Sequence, residues 1–156
     1  MDFALLPNLV TFFPLVGVLI LFFIKAENKV LIRWVSLLTA LATFGISLVL
    51  LGEFKASDPA LQMVTNIPWI TVADWNISYY MGVDGLSILL ILLTTFLTPI
   101  SLLSTWSAIE EREKDFNIFF LMLEVGMLGV FMAQDLFLFY VFWEFTLVPM
   151  YFLIGI

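Results

Sequence analysis

The stretch LFLFYVFWEFTLVPMYFLIGI, residues 136–156, holds a single carboxylic acid, Glu144, inside an apolar run long enough to cross a bilayer. About 20 apolar residues at ~1.5 Å each span a ~30 Å hydrocarbon core. Four further runs of this kind precede it: Phe3 to Ile24, Val30 to Gly52, Val83 to Trp106 and Phe116 to Ala133. The 156 residues are 63% hydrophobic and 12% charged, with a mean hydropathy of +1.12, whereas a soluble domain is about half apolar and about a quarter charged. Too few polar residues are present to cover a core in water, so the excess apolar surface faces lipid. The expected fold is an all-α membrane protein with five transmembrane helices, spanning residues 1–156 as one membrane domain.

The joints between the runs carry the next layer of information. Lys25 and Lys29 follow the first run and no basic residue precedes it, so it reads as a retained span and not as a signal peptide. The second run carries Ser36, Ala40, Thr43 and Ser47 at helical spacing, a small-residue stripe that lets another helix approach closely. In the third, Ser87, Thr94, Thr98, Ser101 and Thr105 share a face around Pro99, and their hydroxyls can satisfy the backbone that a proline frees. Only Gln134 and Asp135 separate the fourth and fifth runs, which therefore form a tight antiparallel pair.

The one long loop, Glu53 to Gly82, is polar and holds Trp69, Trp75, Tyr79 and Tyr80, residues suited to the membrane boundary. Its segments Trp69–Val72 and Ile77–Met81 read as a short β-hairpin. Lys25, Lys29, Arg33, Arg112 and Lys114 fall on one side of the five-span arrangement and Lys55 on the other. By the positive-inside rule the amino terminus and the long loop face outward. The loop Glu110 to Asp115 reads as a solvated cytoplasmic turn.

Thirteen acidic against six basic residues give a net charge of −7, which disfavours a nucleic-acid partner. Histidine and cysteine are both absent, which removes the side chains that hold haem, iron–sulfur clusters, copper and most zinc. No metal or other cofactor is expected in this chain.

Glu144 is the leading candidate for chemistry, because an ionised carboxylate in a membrane span costs several kcal/mol and must face the bundle interior or water. Pro149 lacks an N–H and frees the carbonyl of Phe145 beside it, although an ordinary proline kink explains Pro149 equally well. Glu124, in the middle of the fourth run, is the second candidate. Measured from opposite interfaces, Glu124 and Glu144 each lie about 12 Å in, which permits a carboxylate pair, a water-bridged relay, or two acids facing different neighbours. Asp84 and Asp135 each directly precede an apolar run and read as helix N-caps. With Pro99 and Pro149, they form the expected structural set.

Two segments, Met81 to Ser87 (MGVDGLS) and Ala133 to Gly155 (AQDLFLFYVFWEFTLVPMYFLIG), resemble the subunit M, or chain 4, family of proton-translocating NADH–quinone oxidoreductase, respiratory complex I. The antiporter-like subunits L and N and the multisubunit cation/proton antiporters have a similar start and membrane glutamate, but Leu147 to Tyr151 (LVPMY) looks like subunit M. The resemblance implies a fold of about fourteen helices containing two inverted repeats, of which these five form the amino-terminal part. The chain then reads as an amino-terminal fragment or a truncated reading frame, inactive alone. The resemblance further implies that Glu144 is a key protonatable residue, working with a lysine of a later helix. It also implies that quinone reduction elsewhere in the complex shifts buried charges, with NADH, FMN, iron–sulfur clusters and quinone used by other subunits. Implied partners are membrane lipid and complex I subunits, especially L and N, in a bacterial plasma (inner) membrane. The alternatives are a subunit of a sodium/proton antiporter, using the same glutamate without quinone coupling, and a structural membrane scaffold in which both mid-span acids are neutral packing residues.

Overall fold

The computed structural model describes residues 3–156. A 3-10 turn, Phe3–Leu5, leads into α1 (Leu6–Phe12) and α2 (Pro14–Phe23), which together make one apolar span of 18 residues. Pro14 divides it, because proline has no N–H to continue the ladder of hydrogen bonds. Next come α3 (Lys29–Glu53), β1 (Gln62–Val72), β2 (Trp75–Val83), α4 (Gly85–Ser104), α5 (Glu113–Met132) and α6 (Leu136–Gly155). Among the described residues, five helical stretches are long and apolar enough to cross a membrane. The fold is helical apart from one hairpin, so an all-α description omits the two strands.

That hairpin extends further than the sequence signals. β1 and β2 pair antiparallel from Val72↔Trp75 to Gln62↔Val83, closed by a two-residue turn with Ala73 at φ 54°. A left-handed residue is what a two-residue hairpin turn demands. The register slips between Pro68 and Ile70, beside the proline that cannot donate to the ladder.

The hairpin caps one end of the bundle. Asn8 Nδ2 donates to Thr65 Oγ1 (2.9 Å), the Tyr79 hydroxyl donates to Asn8 Oδ1, and Gln134 N donates to Tyr80 O (2.8 Å). The start of the first span and the α5–α6 turn are thereby tied to β1 and β2. Burial pushes the Tyr79 phenol up to about 12, so it remains a donor at any physiological pH.

The opposite end collects the basic residues. Arg33 on α3 grips Glu113 at the start of α5, through Nη2–Oε1 at 2.6 Å and Nε–Oε2 at 3.0 Å. Lys29 Nζ reaches Glu110 O at 2.5 Å, and Lys114 Nζ donates to the Ile24 carbonyl at 2.8 Å, closing the end of the first span. The expectation of a solvated turn over Glu110 to Asp115 is thus corrected at Glu113. Its side chain is buried because α5 begins there, turning it toward Arg33.

Two apolar clusters fill the interior. One, toward the hairpin, includes Leu6, Val10, Leu50, Met81, Ile91, Leu128, Met132 and Phe142. The other, toward the basic end, is Val18, Leu21, Ile32, Ile118 and Leu121. Between them α3 presents its small-residue stripe, with Ser36, Ala40, Thr43 and Ser47 all fully buried. Ser47 Oγ and Thr95 Oγ1 of α4 are 2.8 Å apart. The α5–α6 pair is close because α5 has no side chain at Gly126 or Gly129. A Cβ on Gly126 would stand 2.6 Å from Thr146 Cγ2, and one on Gly129 would enter the Phe142 ring.

Candidate functional site

The helix starts are held as their sequences demand. Asp84 Oδ1 accepts from Ser87 N (2.8 Å) and Leu86 N (3.1 Å). The bonds from Ser87 hold its carboxyl below the usual carboxylate range, so its contribution is full above its ordinary value and is lost as pH falls through the lowered one. Asp135 Oδ1 accepts from Phe137 N (2.9 Å) and Leu138 N (3.2 Å), while its Oδ2 accepts from Ser78 N of the hairpin (3.2 Å). Asparagine offers the same acceptor oxygen. Asp84→Asn should therefore leave membrane abundance near wild type, while Asp84→Ala costs about 1 kcal/mol. Equal loss in both variants, read by quantitative blotting of membranes, would show that the charge itself is needed.

The two mid-span acids occupy opposite environments. α6 packs through Leu138, Phe142, Thr146 and Pro149, a stripe at intervals of four, four and three residues. Glu144 lies two residues from both Phe142 and Thr146, about 200° around the helix, and it is exposed on the outer face with Trp143, Leu147 and Val148. Of the two settings expected for Glu144, the bundle interior or water, the interior of these five helices is not the one it takes: its helical phase turns it away from α5. Pro149 is buried on the packed side, and Pro99 is buried within α4.

Glu124 is the acid in the interior. It is fully buried, and neither carboxylate oxygen has a hydrogen-bond partner among the described residues. Thr98 of α4 is the polar side chain facing it, but that hydroxyl is donated to the Thr94 carbonyl at 2.8 Å. Glu124 and Glu144 share no hydrogen bond; one looks into the bundle and the other out of it.

Sequence reading missed the Arg33–Glu113 pair and Asn117, whose Nδ2 donates to Glu113 O at 2.8 Å. A signal was present: Glu113, Asn117, Leu121, Glu124, Leu128 and Met132 are spaced four, four, three, four and four, one continuous buried stripe of α5. Beside it, a cavity of about 10 Å³, the size of a single water, is lined by Arg33, Thr105, Trp106, Glu113 and Asn117 among others. Among the described residues, no group of three or more His, Cys, Asp or Glu is placed to hold a metal ion.

Residues 59–133, which include the hairpin and reach from α4 to the end of α5, match the family model described as NADH-ubiquinone oxidoreductase chain 4, amino terminus. NADH-quinone oxidoreductase subunit M of Rhodobacter capsulatus is 41% identical over 97% of this chain, which is 29% of that relative's length. NADH-ubiquinone oxidoreductase chain 4 of Arabidopsis thaliana is 42% identical over 92% of this chain and 28% of its own. Subunit M of Rickettsia conorii is 37% identical over 93% and 30%. The chain spans under a third of the length of these relatives. With its five apolar helices and these matches, the chain belongs to the NADH-quinone oxidoreductase subunit M / chain 4 family, corresponding to its amino-terminal part.

Proposed function

We propose that this chain serves as a membrane subunit of a proton-translocating NADH–quinone oxidoreductase, with Glu144 taking up and releasing a proton as neighbouring charges shift. The observation that carries the reading is the place of Glu144 on the open face of α6. Lipid does not solvate a carboxylate, so that face suits contact with further protein or an internal hydrated path. A basic group on such a neighbour stabilises the ionised acid, and movement of that charge releases or captures the proton. Quinone reduction, on this reading, takes place in other subunits, and subunits L and N are the expected neighbours.

Affinity purification tests the assignment. Tagged protein taken from its native membrane should bring down NADH:quinone oxidoreductase activity, whereas recovery with cation/proton antiporter subunits alone overturns it in favour of the antiporter reading.

The proposed setting is a bacterial plasma membrane with the amino terminus outside, supported by the gathering of Lys25, Lys29, Arg33, Arg112 and Lys114 at the end opposite the hairpin. Because the chain has no cysteine, each introduced thiol is the only one in this chain. A cysteine at Ser57 should react with an impermeant thiol reagent added outside, and one at Ser107 should not. The reverse labelling pattern overturns the orientation.

A further inference from the structure

The two apolar clusters of the bundle are separated by a layer of different chemistry. On α5, Leu121 belongs to one cluster and Leu128 to the other, and Glu124 lies between them. On α3, Thr43 and Ser47 fall between Ile32 of one cluster and Leu50 of the other, and on α4 Thr94, Thr95 and Thr98 follow Ile91 of the hairpin-side cluster; all are buried. We propose that Glu124 and Thr98 form a second proton-binding site inside the membrane, distinct from Glu144.

The argument rests on donors and acceptors. An ionised carboxylate only accepts hydrogen bonds. The Thr98 hydroxyl donates to the Thr94 carbonyl at 2.8 Å, and neither Glu124 oxygen has a hydrogen-bond partner among the described residues. A fully buried carboxylate with both oxygens unpartnered is strongly disfavoured in its ionised form. A proton on Glu124 removes the charge and supplies an O–H that the facing Thr98 hydroxyl can accept.

No other charge answers Glu124 from the elements packed against α5. The residues of α1, α2 and α4 include no charged side chain. On α3, Lys29, Arg33 and Glu53 lie in the end turns, where Arg33 is already paired with Glu113. On α6, Glu144, Tyr140 and Tyr151 are on the exposed side. On β2, Tyr79 is bonded to Asn8, and Tyr80 lies at the hairpin end. The buried stripe of α5 runs from Glu113 and Asn117, beside the water-sized cavity, past Leu121 to Glu124.

Infrared spectroscopy of the intact membrane-embedded complex reads the proton directly and does not depend on pumping. A protonated-acid C=O band should be present in wild type, shift down on exchange into D₂O, vanish in Glu124→Gln, and persist in Glu144→Gln. In Thr98→Val it should move to higher frequency, because the hydrogen bond to Oγ1 is gone. A band indifferent to Glu124→Gln, or one that never exchanges in D₂O, overturns the site. If Glu124→Gln does not assemble, Thr98→Val decides alone: a shifted band supports the pair and an unmoved band overturns it. A failed Glu144 assignment leaves these results standing, since none of them requires Glu144 to transfer a proton.

Discussion

Replacing Glu144 with glutamine should abolish proton translocation, or reduce it severely, while leaving the complex assembled. The two halves of this outcome come from different features of α6. Assembly survives because the contacts with α5 run through Leu138, Phe142, Thr146 and Pro149, none of which the substitution touches. Translocation fails because glutamine keeps size and hydrogen-bonding capacity but carries no titratable proton. Glu144→Asp should retain part of the activity if the shorter carboxylate reaches its partner through water. The measurement is proton uptake in vesicles set against complex abundance in the same membranes. Glu124→Gln should do less to pumping than Glu144→Gln. Normal pumping in an assembled Glu144→Gln variant, with loss in Glu124→Gln, would move the principal site to α5 and return Glu144 to a packing role.

Breaking the Arg33–Glu113 pair should have the largest effect on stability. Glu113→Ala strands the Arg33 guanidinium against a buried helix start, while Asn117 keeps its bond to the backbone carbonyl of residue 113; removing one partner of such a pair costs about 3 kcal/mol. The loss should appear as lower membrane abundance and faster proteolysis at the loop between α4 and α5. The exchange Arg33→Glu with Glu113→Arg should recover part of it, since the two charges remain opposed. Equal loss in the exchange and the single variant would show that local geometry, and not charge pairing, holds this end together. Arg112 with Asp115, exposed at 3.2 Å, should by contrast contribute little.

Much of this architecture is legible in the sequence because bilayer thickness translates directly into run length. The five spans, the tight turn at Gln134 and Asp135, and the hairpin all follow from local composition. Rotation of each helix about its own axis is less legible. The cost of a charge in lipid leaves Glu144 either the bundle interior or water, and the stripe Leu138, Phe142, Thr146 and Pro149 sets the phase of α6 and turns the acid out from these five helices. For α5 the equivalent stripe points the other way, and Glu124 is on it. A polar residue among apolar ones gives its helix no visible phase unless the packed stripe is read first. The Arg33–Glu113 pair was hidden for a different reason: it joins residues 80 apart in sequence, and local pattern carries no information on such a pairing.

The hairpin cap also orders events during synthesis. Residues 62–83 emerge from the ribosome well before Gln134 and Asp135, yet Tyr80 O and Ser78 N find their partners on that later turn. Chains are made amino terminus first, so β1 and β2 must wait at their end of the bundle until α5 has been made and has delivered the turn to them. Closure of the cap is then a molecular report that the fourth crossing has been completed with the correct polarity. A nascent chain in which α5 inserts backwards leaves Tyr80 O and Ser78 N without these two partners.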